Sequence, residues 1–379
     1  MNALALILAS MPTPAVATQQ APPIAPIRAK RPVPSPLPVA PVIATGDQRV
    51  MIGWEPTILR CGGRPVVAAP VRRPWNNLIW PGYKGVPVSF AFAIDATGRT
   101  IGIRRLRDDA PGSADDLAPT LAATRFPAGA PRQDCTIVYT PRVTSIAETP
   151  VADLISYTMT PDSGPLPEAG WARIMAAGNC ATEPRPQPLL QAFPDFGPIP
   201  GTPGVKDWSM VRYDTDAKGR PVAARTLTGT GNAALDAASI KAVRASRYAG
   251  GARTGCLYPY WKVPATLPAP PMPAEDTARP ANATCPAGRD WTTGPVLRFP
   301  ENYRRRSIEG WAIMVYDLAP WGEPGNIRVA AAEPSADFGT QAIEVIRGAR
   351  LPASDRGATG CTDRVIFKIG TPGSATPPF

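Results

Sequence analysis

Six cysteines are the residues of this chain whose type and spacing could do covalent chemistry. None lies close enough to another to form a CxxC pair, so a zinc or redox motif is not indicated. The alternative to pairing is six buried free thiols. Corresponding cysteines are separated by 74, 76 and 76 residues, and this regularity predicts one disulfide bond per unit: Cys61–Cys135, Cys180–Cys256 and Cys285–Cys361. Each bond would close a long loop, worth about 4 kcal/mol in the chain-entropy model.

The other side chains offer little catalytic chemistry. Histidine, the commonest general base and metal ligand, is absent, and no nucleophile elbow, P-loop, HExxH or calcium-loop pattern occurs. Asp115 and Asp116 could pair as carboxylates, but a helix start, where anions are favoured, explains them better. An enzyme that uses an unrecognised carboxylate pair is the alternative. The sequence predicts a non-enzymatic protein with no cofactor and no metal.

Basic residues outnumber acidic ones, which gives a formal net charge of +10 at pH 7. Such a surplus suits an acidic surface, such as lipid headgroups, an anionic cell wall or a nucleic acid. Two groups could form an anion-binding patch: Arg304, Arg305 and Arg306, and also Arg104, Arg105, Arg107 and Arg125. Solvated charged faces are the alternative interpretation of both. Because no aromatic–basic stacking pattern accompanies them, nucleic acid is not an expected partner.

The cysteines and charged residues lie within a pattern of secondary-structure elements that repeats along the sequence. IDATGRTIGIRRL (94–106) and TDAKGRPVAARTL (215–227) each place an acidic residue and a Gly-Arg pair between two candidate strands. A more divergent third copy reads WAIMVYDLAPWGEPGNIRVAAAEPS, and a helical pattern ending at an arginine follows each copy. The turn glycines precede those arginines by 27, 28 and 28 residues: Gly98 and Arg125, Gly219 and Arg247, Gly322 and Arg350. This shared order and spacing indicates internal repetition.

Each repeat is predicted to fold as strand, tight turn, strand, helix and final strand. In the third repeat the apolar positions fall at helical spacing and form one buried stripe: Phe338, Ala342, Val345, Ile346 and Ala349. Such a helix would cover one face of a small antiparallel sheet. The predicted fold class is therefore α+β, with three tandem modules of strand-strand-helix-strand order.

The 50 prolines are unevenly spread and help to set the boundaries. An apolar run from Ala3 to Ala9, followed by Ala15-Val16-Ala17, is typical of a secretory signal, with a plain disordered start as the alternative. No stretch approaches the roughly 20 apolar residues of a transmembrane helix. The predicted segments are a signal-like 1–17, a Pro-rich disordered spacer 18–48, modules 49–147 and 165–263, a Pro-rich linker 264–282, a module 283–370, and a disordered tail 371–379. Signal and disulfides together predict a periplasmic or secreted protein.

The third repeat resembles the C-terminal domain of TonB-family energy transducers. That pattern has a Gly-Trp before an alternating strand, an acidic residue, a Gly turn, a valine-rich strand, and a helix closing on a basic residue, an apolar residue and proline. The matching positions are Gly310, Trp311, Asp317, Gly322, Val329, Phe338, Ala342 and Arg350 to Pro352. The second repeat fits through Asp216, Gly219, Arg220, Leu235 and Arg247-Tyr248, and the first through Asp95, Gly98, Arg99, Leu117 and Arg125-Phe126-Pro127.

The resemblance implies capture of an extended peptide by strand addition, accessory to transport, with envelope proteins such as TonB-dependent outer-membrane receptors as partners. The final strands would supply the edges, at 136–140, 257–261 and, above all, Thr362, Asp363, Arg364, Val365, Ile366 and Phe367. The family's membrane helix and its histidine are missing, so coupling to a membrane motor is not expected. The alternative is a structural envelope protein that binds peptidoglycan or an anionic lipid surface through its basic faces.

Overall fold

The computed structural model describes residues 47–66, 71–83, 85–107, 112–286 and 290–370. The signal-like segment 1–17, the spacer up to residue 46 and the tail 371–379 lie outside the described residues. The chain combines 19% helix with 36% strand, arranged in several small antiparallel sheets. This mixture of helix and antiparallel sheet agrees with the α+β class expected from the sequence.

The first sheet has seven strands and one helix packed on it. Its elements are β1 (Val50–Pro56), β2 (Arg60–Cys61), β3 (Arg64–Pro65), β4 (Asn77–Ile79), β5 (Val88–Ile94), β6 (Thr100–Arg105), α1 (Leu117–Ala123) and β7 (Arg132–Thr144). The order is β3-β2-β7-β1-β4, and β5 pairs with both β6 and β7. Alternate residues of β5 are buried, as its VSFAFAI pattern predicts for a strand with one face on the core. The long β7 is therefore the central strand of this sheet.

The second sheet is covered on both faces. Its region contains α2 (Val151–Met159), α3 (Glu168–Met175), β8 (Gln187–Leu190), β9 (Asp207–Thr215), β10 (Pro221–Gly229), α4 (Ala233–Ala245), β11 (Arg247–Ala249) and β12 (Arg253–Lys262). The order is β10-β9-β12, while β11 pairs with β8 separately. Leu235 and Val243 of α4 pack on one face, and α2 and α3 pack with Trp208 and Met210 on the other. This double cover explains why β9 is almost continuously buried.

The third sheet, like the second, has three strands, in the order β14-β13-β15. Its elements are α5 (Glu301–Arg305), β13 (Gly310–Leu318), β14 (Pro324–Glu333), α6 (Ala336–Arg347) and β15 (Ala358–Phe367). Ser335 caps α6 by accepting a hydrogen bond from the Asp337 N–H at 3.3 Å. The predicted apolar stripe is confirmed for Phe338, Ala342, Val345 and Ile346, and the fifth residue, Ala349, is also buried but lies two residues beyond the end of α6.

The Pro-rich segment 264–282 packs closely against the third sheet. The Leu267 side chain is buried, and its backbone accepts from the Glu309 N–H at 2.9 Å and donates to the Ser307 carbonyl at 2.8 Å. The Trp311 indole donates to the Pro270 carbonyl at 2.8 Å. Because β13 has apolar residues on both faces, it needs a cover opposite α6, and this segment contributes to it.

The same local contacts recur at all three hairpin turns. Each turn glycine has a positive φ, and its carbonyl accepts a hydrogen bond of 2.9 to 3.0 Å from the residue that follows the helix-terminal arginine: Gly98 from Phe126, Gly219 from Tyr248, and Gly322 from Leu351. The Nη1 atoms of Arg125, Arg247 and Arg350 all donate to carbonyls at the C-terminal end of the preceding helix. The positive guanidinium groups thus lie at the negative, C-terminal ends of the helix dipoles, where a cation is favourable. The regular spacing of glycine and arginine along the sequence thus corresponds to a hydrogen bond between the turn and the chain after the helix that is repeated three times.

The hydrophobic core does not divide along the boundaries expected for three modules. One cluster runs from the first sheet into the third and includes Phe90 and Leu121 as well as Phe338 and Phe367. Strands β6 and β14 meet at the junction, where the Ile103 N–H donates to the Pro334 carbonyl at 3.0 Å. The sequence pattern assigns a buried face to each repeat, but it does not encode which repeats pack together.

Candidate functional site

The structure forms the three disulfide bonds that the cysteine spacing predicts. They join Cys61 to Cys135, Cys180 to Cys256 and Cys285 to Cys361. Each bond ties the chain ahead of a repeat to the start of its final strand, β7, β12 or β15. Such bonds are typical of proteins that fold outside the reducing cytosol, so the chain is assigned to an extracytoplasmic setting.

The bonds also set how much of each final-strand edge is already covered. The residue next to the first cysteine of each pair donates its N–H to the final strand: Gly62 to Asp134 at 3.2 Å, Asn179 to Thr254 at 3.0 Å, and Thr284 to Thr359 at 3.0 Å. A positive φ at Asp134, Gly255 and Gly360 bends the strand just before its cysteine. The beginning of every final strand is therefore lined by the chain's own backbone.

The predicted edge at 136–140 is wrong, because this part of β7 lies inside the sheet. Thr136 pairs with β5 on one side and with Arg60 of β2 on the other. Tyr139 pairs with Val88 of β5 and with Pro56 of β1. The chain's own β2, Thr57 and the last residues of β1 together occupy the place that the sequence assigned to an incoming peptide.

Strand β12 is an edge strand of the second sheet and pairs only with β9 among the described strands. Pro259 has no N–H to donate, which is tolerated where a strand faces outward at an edge. By alternation, Leu257 and Trp261 also point their N–H groups outward. The Trp261 side chain is 50% exposed beside this edge. The predicted stretch 257–261 thus lies on an outer strand with an aromatic group at one end.

Strand β15 is also at the edge of its sheet and carries the principal predicted site. Thr362, Val365 and Phe367 are buried, Asp363 and Ile366 are half-buried, and Arg364 is exposed. The Asp363 carboxylate accepts from the Tyr316 hydroxyl. Thr362, Asp363 and Arg364 make further interactions as well, so the first half of the predicted site is already engaged. In the second half of the predicted site, Val365 and Phe367 are fully buried, so only the half-buried Ile366 retains exposed surface at this edge.

The three arginines predicted as a basic patch do not share a surface. Arg304 pairs with Glu301 at 2.7 Å, and Arg305 pairs with Asp162. Arg306 is buried, with both Nε and Nη2 at 2.5 Å from the Asp116 carboxylate. An acid therefore neutralises each guanidinium: Arg305 and Arg306 join distant parts of the chain, whereas the Arg304 pair lies within α5 at the surface.

In the second predicted arginine group, Arg105 and Arg125 are engaged within the fold, whereas Arg104 and Arg107 are exposed. Arg105 lies 3.2 Å from the Asp115 carboxylate, and Arg125 caps the end of α1. Burial, together with the charge of Arg99, lowers the pKa of Arg125 to about 10. Asp115 and Asp116 therefore pair with different arginines and do not act as a joint carboxylate site.

Sequence analysis missed a cationic cleft between the first and second sheets. It has a volume of about 250 Å³ and is lined by residues distant in sequence, among them Arg72, Arg73, Trp75, Asp153, Lys206 and Arg306. Arg305 and Arg306 lie over the Trp75 ring, with guanidinium carbons 4.6 and 4.1 Å from its centroid. The run Arg72-Arg73-Pro74-Trp75 was the one signal available in the sequence.

Comparison with known proteins finds no family model that matches the chain and no similar curated protein. Within the described residues, no group of three or more histidine, cysteine, aspartate or glutamate side chains could hold a metal ion. None of the helices in those same residues is long and apolar enough to cross a membrane. The sheet edges and the cleft are the surfaces on which a function can be argued.

Proposed function

We propose that this chain is a non-enzymatic periplasmic protein built from three TonB C-terminal-like modules, which binds extended peptide segments of envelope partners by strand addition. The recurring hydrogen bond between each turn glycine and the residue after the helix-terminal arginine supports a common module. Each copy has its helix between the hairpin and the final strand, and each carries a disulfide in the same place. TonB-dependent outer-membrane receptors are the partners that the resemblance suggests.

The observation that carries the proposal is the pairing of β1 with β7. Six residues of β1 run antiparallel to the end of β7, from Met51 opposite Thr144 to Pro56 opposite Tyr139. A final strand of this module therefore accepts an added strand along its outer edge, with the chain's own segment as the occupant. Main-chain hydrogen bonds would give such an added strand its affinity, and alternate side chains its specificity.

The edge of β12 from Leu257 to Trp261 is the first choice for an external peptide, and the end of β15 at the half-buried Ile366 is the second. Aligned on their cysteines, Val138, Pro259 and Arg364 occupy the same position. Val138 already uses its outward N–H, which donates to the Thr57 hydroxyl at 3.2 Å. On β12 the side chain of Trp261 adds an exposed aromatic anchor of the kind that dominates binding energy.

Amide hydrogen exchange on the full, disulfide-bonded chain tests this proposal. The probes are a synthetic peptide with the β1 sequence VMIGWEP and peptides from the periplasmic segments of TonB-dependent receptors. We expect protection of the Leu257 and Trp261 amides, and of the Ile366 amide if β15 also binds. The Val138 amide, which is bonded in the free protein, is the internal control and stays unchanged.

A pair of tryptophan variants makes the test specific. Trp261→Ala removes the anchor beside β12 and is expected to weaken peptide binding about fivefold or more. Trp321→Ala removes a tryptophan that is 68% exposed in the turn between β13 and β14 and should bind the peptide normally. Peptide binding that protects none of the Leu257, Trp261 and Ile366 amides would refute capture by strand addition.

A further inference from the structure

The cationic cleft between the first and second sheets adjoins the β12 edge only through Lys206, which lies over the Trp261 ring. One wall comes from the segment Arg72 to Trp75, another from α2, and a third from Lys206 with the β9–β10 hairpin. Its volume of about 250 Å³ is below the range of pockets that hold drug-sized ligands, so it suits a small group.

Most charges in the cleft cancel one another. Arg306 is held by Asp116, with both contacts at 2.5 Å. The Asp153 carboxylate is shared between Arg73 at 3.2 Å and Arg142 at 2.6 Å. Arg142 also contacts Glu55 at 2.9 Å, so these four residues are neutral as a group.

Two basic side chains of the cleft are not neutralised by these carboxylates. Lys206 and Arg72 line the cleft, and neither forms an ion pair with a carboxylate in the part of the chain that the structure describes. Lys206 is half-buried, and its Nζ donates to the Met159 carbonyl at 2.6 Å and lies 5.5 Å from the centroid of the Trp261 ring. Burial lowers the pKa of Lys206, and the nearby charge of Arg305 lowers it further. A partly desolvated cation among other cations gains more from an anion than an exposed one does.

The remaining lining supplies neutral contacts. Ser156 and Thr228 bring hydroxyl groups to the cleft, and Trp75 and Trp208 bring aromatic surface. Hydroxyls can donate to an oxyanion, and the rings can pack against a small organic group attached to it.

We propose that this cleft binds a small oxyanion, a phosphate or a carboxylate, with Lys206 and Arg72 as the residues that supply the positive charge. The oxyanion belongs either to a free small molecule or to a lipid headgroup, and both sources offer the same chemistry to the cleft. The site does not depend on peptide capture at β12 or β15.

Calorimetric titration of the full chain at low salt tests the proposal, with inorganic phosphate and acetate as probes. Lys206→Gln keeps a donor for the Met159 carbonyl while it removes the charge, and we expect it to weaken binding about fivefold or more. Lys241→Gln removes the same charge from the exposed face of α4 and is the matched control, with unchanged binding. Arg72→Gln is the second cleft variant and should weaken binding in the same way.

Vesicles of phosphatidylglycerol in phosphatidylcholine distinguish the two sources. Binding to these vesicles that Lys206→Gln weakens identifies a headgroup as the ligand, whereas binding to the free anions alone identifies a soluble molecule. The proposal is overturned if neither anion nor vesicle binds, or if Lys206→Gln and Arg72→Gln bind as Lys241→Gln does. Thermal unfolding of each variant verifies that the compared proteins are folded.

Discussion

Arg306 and Asp116 form a buried two-point ion pair although 190 residues separate them in the sequence. The side chain of Arg306 is 2% exposed and that of Asp116 is 12% exposed. The same carboxylate also accepts hydrogen bonds from the backbone N–H of Trp75 at 2.7 Å and from the Thr120 hydroxyl at 3.0 Å. This pair fastens the chain after α5 to the start of α1, and so links the third repeat to the first.

Removing one partner of this pair should be costly. Arg306→Gln leaves a buried carboxylate without its cation, and we expect the free energy of unfolding to fall by about 3–5 kcal/mol. Arg304→Gln is the matched control, because its pair with Glu301 is exposed on both sides and should contribute no more than about 1 kcal/mol. Urea unfolding of both variants measures the difference. Equal, small losses would contradict a structural role for Arg306.

The turn glycines give a second prediction, in which steric and conformational effects can be separated. Gly219 has a φ of +71°, and an added Cβ would lie 1.7 Å from the Tyr248 carbonyl oxygen. Gly231 also has a positive φ, +83°, but nothing lies within 4 Å of its Cβ position. Gly231→Ala should therefore cost only the left-handed conformation, about 1–2 kcal/mol.

Gly219→Ala should cost at least about 2 kcal/mol more than Gly231→Ala, because it also forces apart the turn and the residue after the helix-terminal arginine. The hydrogen bond from the Tyr248 N–H to the Gly219 carbonyl, 2.9 Å long, would be lost with it. Thermal unfolding of the two variants is the measurement. If both variants lose the same stability, the close approach does not matter.

The spacing of these glycines and arginines shows what the sequence could predict. The tie between Gly219 and Tyr248 is made within one repeat, so its partners recur at a fixed interval and the pattern reveals them. The cysteine pairs and the buried stripe of α6 are local to one repeat in the same way.

Contacts between different repeats do not recur at a fixed interval in the sequence, so the repeat pattern does not reveal them. Arg306 belongs to a run that looked like a charged surface, and only the packing of the third repeat on the first brings Asp116 to it. Lys206 and Arg72 line one cleft only because the second repeat packs beside the first. The occupation of the β7 edge by β1 also escaped prediction, because β1 precedes the repeated part and carries no repeat signal.

The disulfide bonds give a third prediction. Replacing Cys180 and Cys256 together by alanine opens a loop of 76 residues and should lower the free energy of unfolding by about 4 kcal/mol. Alkylation of the unfolded, non-reduced protein should label no cysteine, and prior reduction should make all six reactive. Labelling of any cysteine before reduction would show that a bond is missing. A double variant with unchanged stability would show that the bond does not restrain the unfolded chain.

Asp216 gives a prediction for acid pH. Its Oδ1 accepts from the N–H groups of Lys218 and Arg220, each at 2.9 Å, and its Oδ2 accepts from Arg220 Nε. The hydrogen bond from the Arg220 backbone is the main cause that lowers the pKa of Asp216, followed by the one from its side chain. A lowered folded-state pKa gives stability that is present above the unfolded value, near 3.9, and is lost as the pH falls through the folded value.

Asp216→Asn keeps an oxygen acceptor in the turn but cannot titrate. We expect the variant to lose less stability than the wild type between pH 5 and pH 2, with the two curves converging at the acid end. Urea unfolding at a series of pH values gives both curves. Parallel curves would mean that the charge of Asp216 does not contribute to stability in this range.

Glu333 should show the opposite dependence, at the junction where β14 meets β6. Its carboxylate accepts from the Gly102 N–H at 2.7 Å. Burial is the main cause that raises the pKa of Glu333, and it outweighs the hydrogen bond from Gly102 and the charge of Arg99, which lower it. A raised pKa means that the folded state binds the proton more tightly than the unfolded chain does. Stability therefore falls as the pH rises from the unfolded value, near 4.3, through the folded value.

Glu333→Gln retains an acceptor for Gly102 and removes the half-buried charge. The free energy of unfolding of Glu333→Gln, minus that of the wild type, should therefore increase as the pH rises from 4 to 7. For Asp216→Asn the same difference should decrease as the pH rises from 2 to 5. Glu344→Gln, on the exposed face of α6, controls for the loss of a carboxylate at the surface. A stability difference for Glu333→Gln that stays constant with pH would contradict a charged Glu333 half-buried at the junction, and would leave its hydrogen bond to Gly102 as its only contribution there.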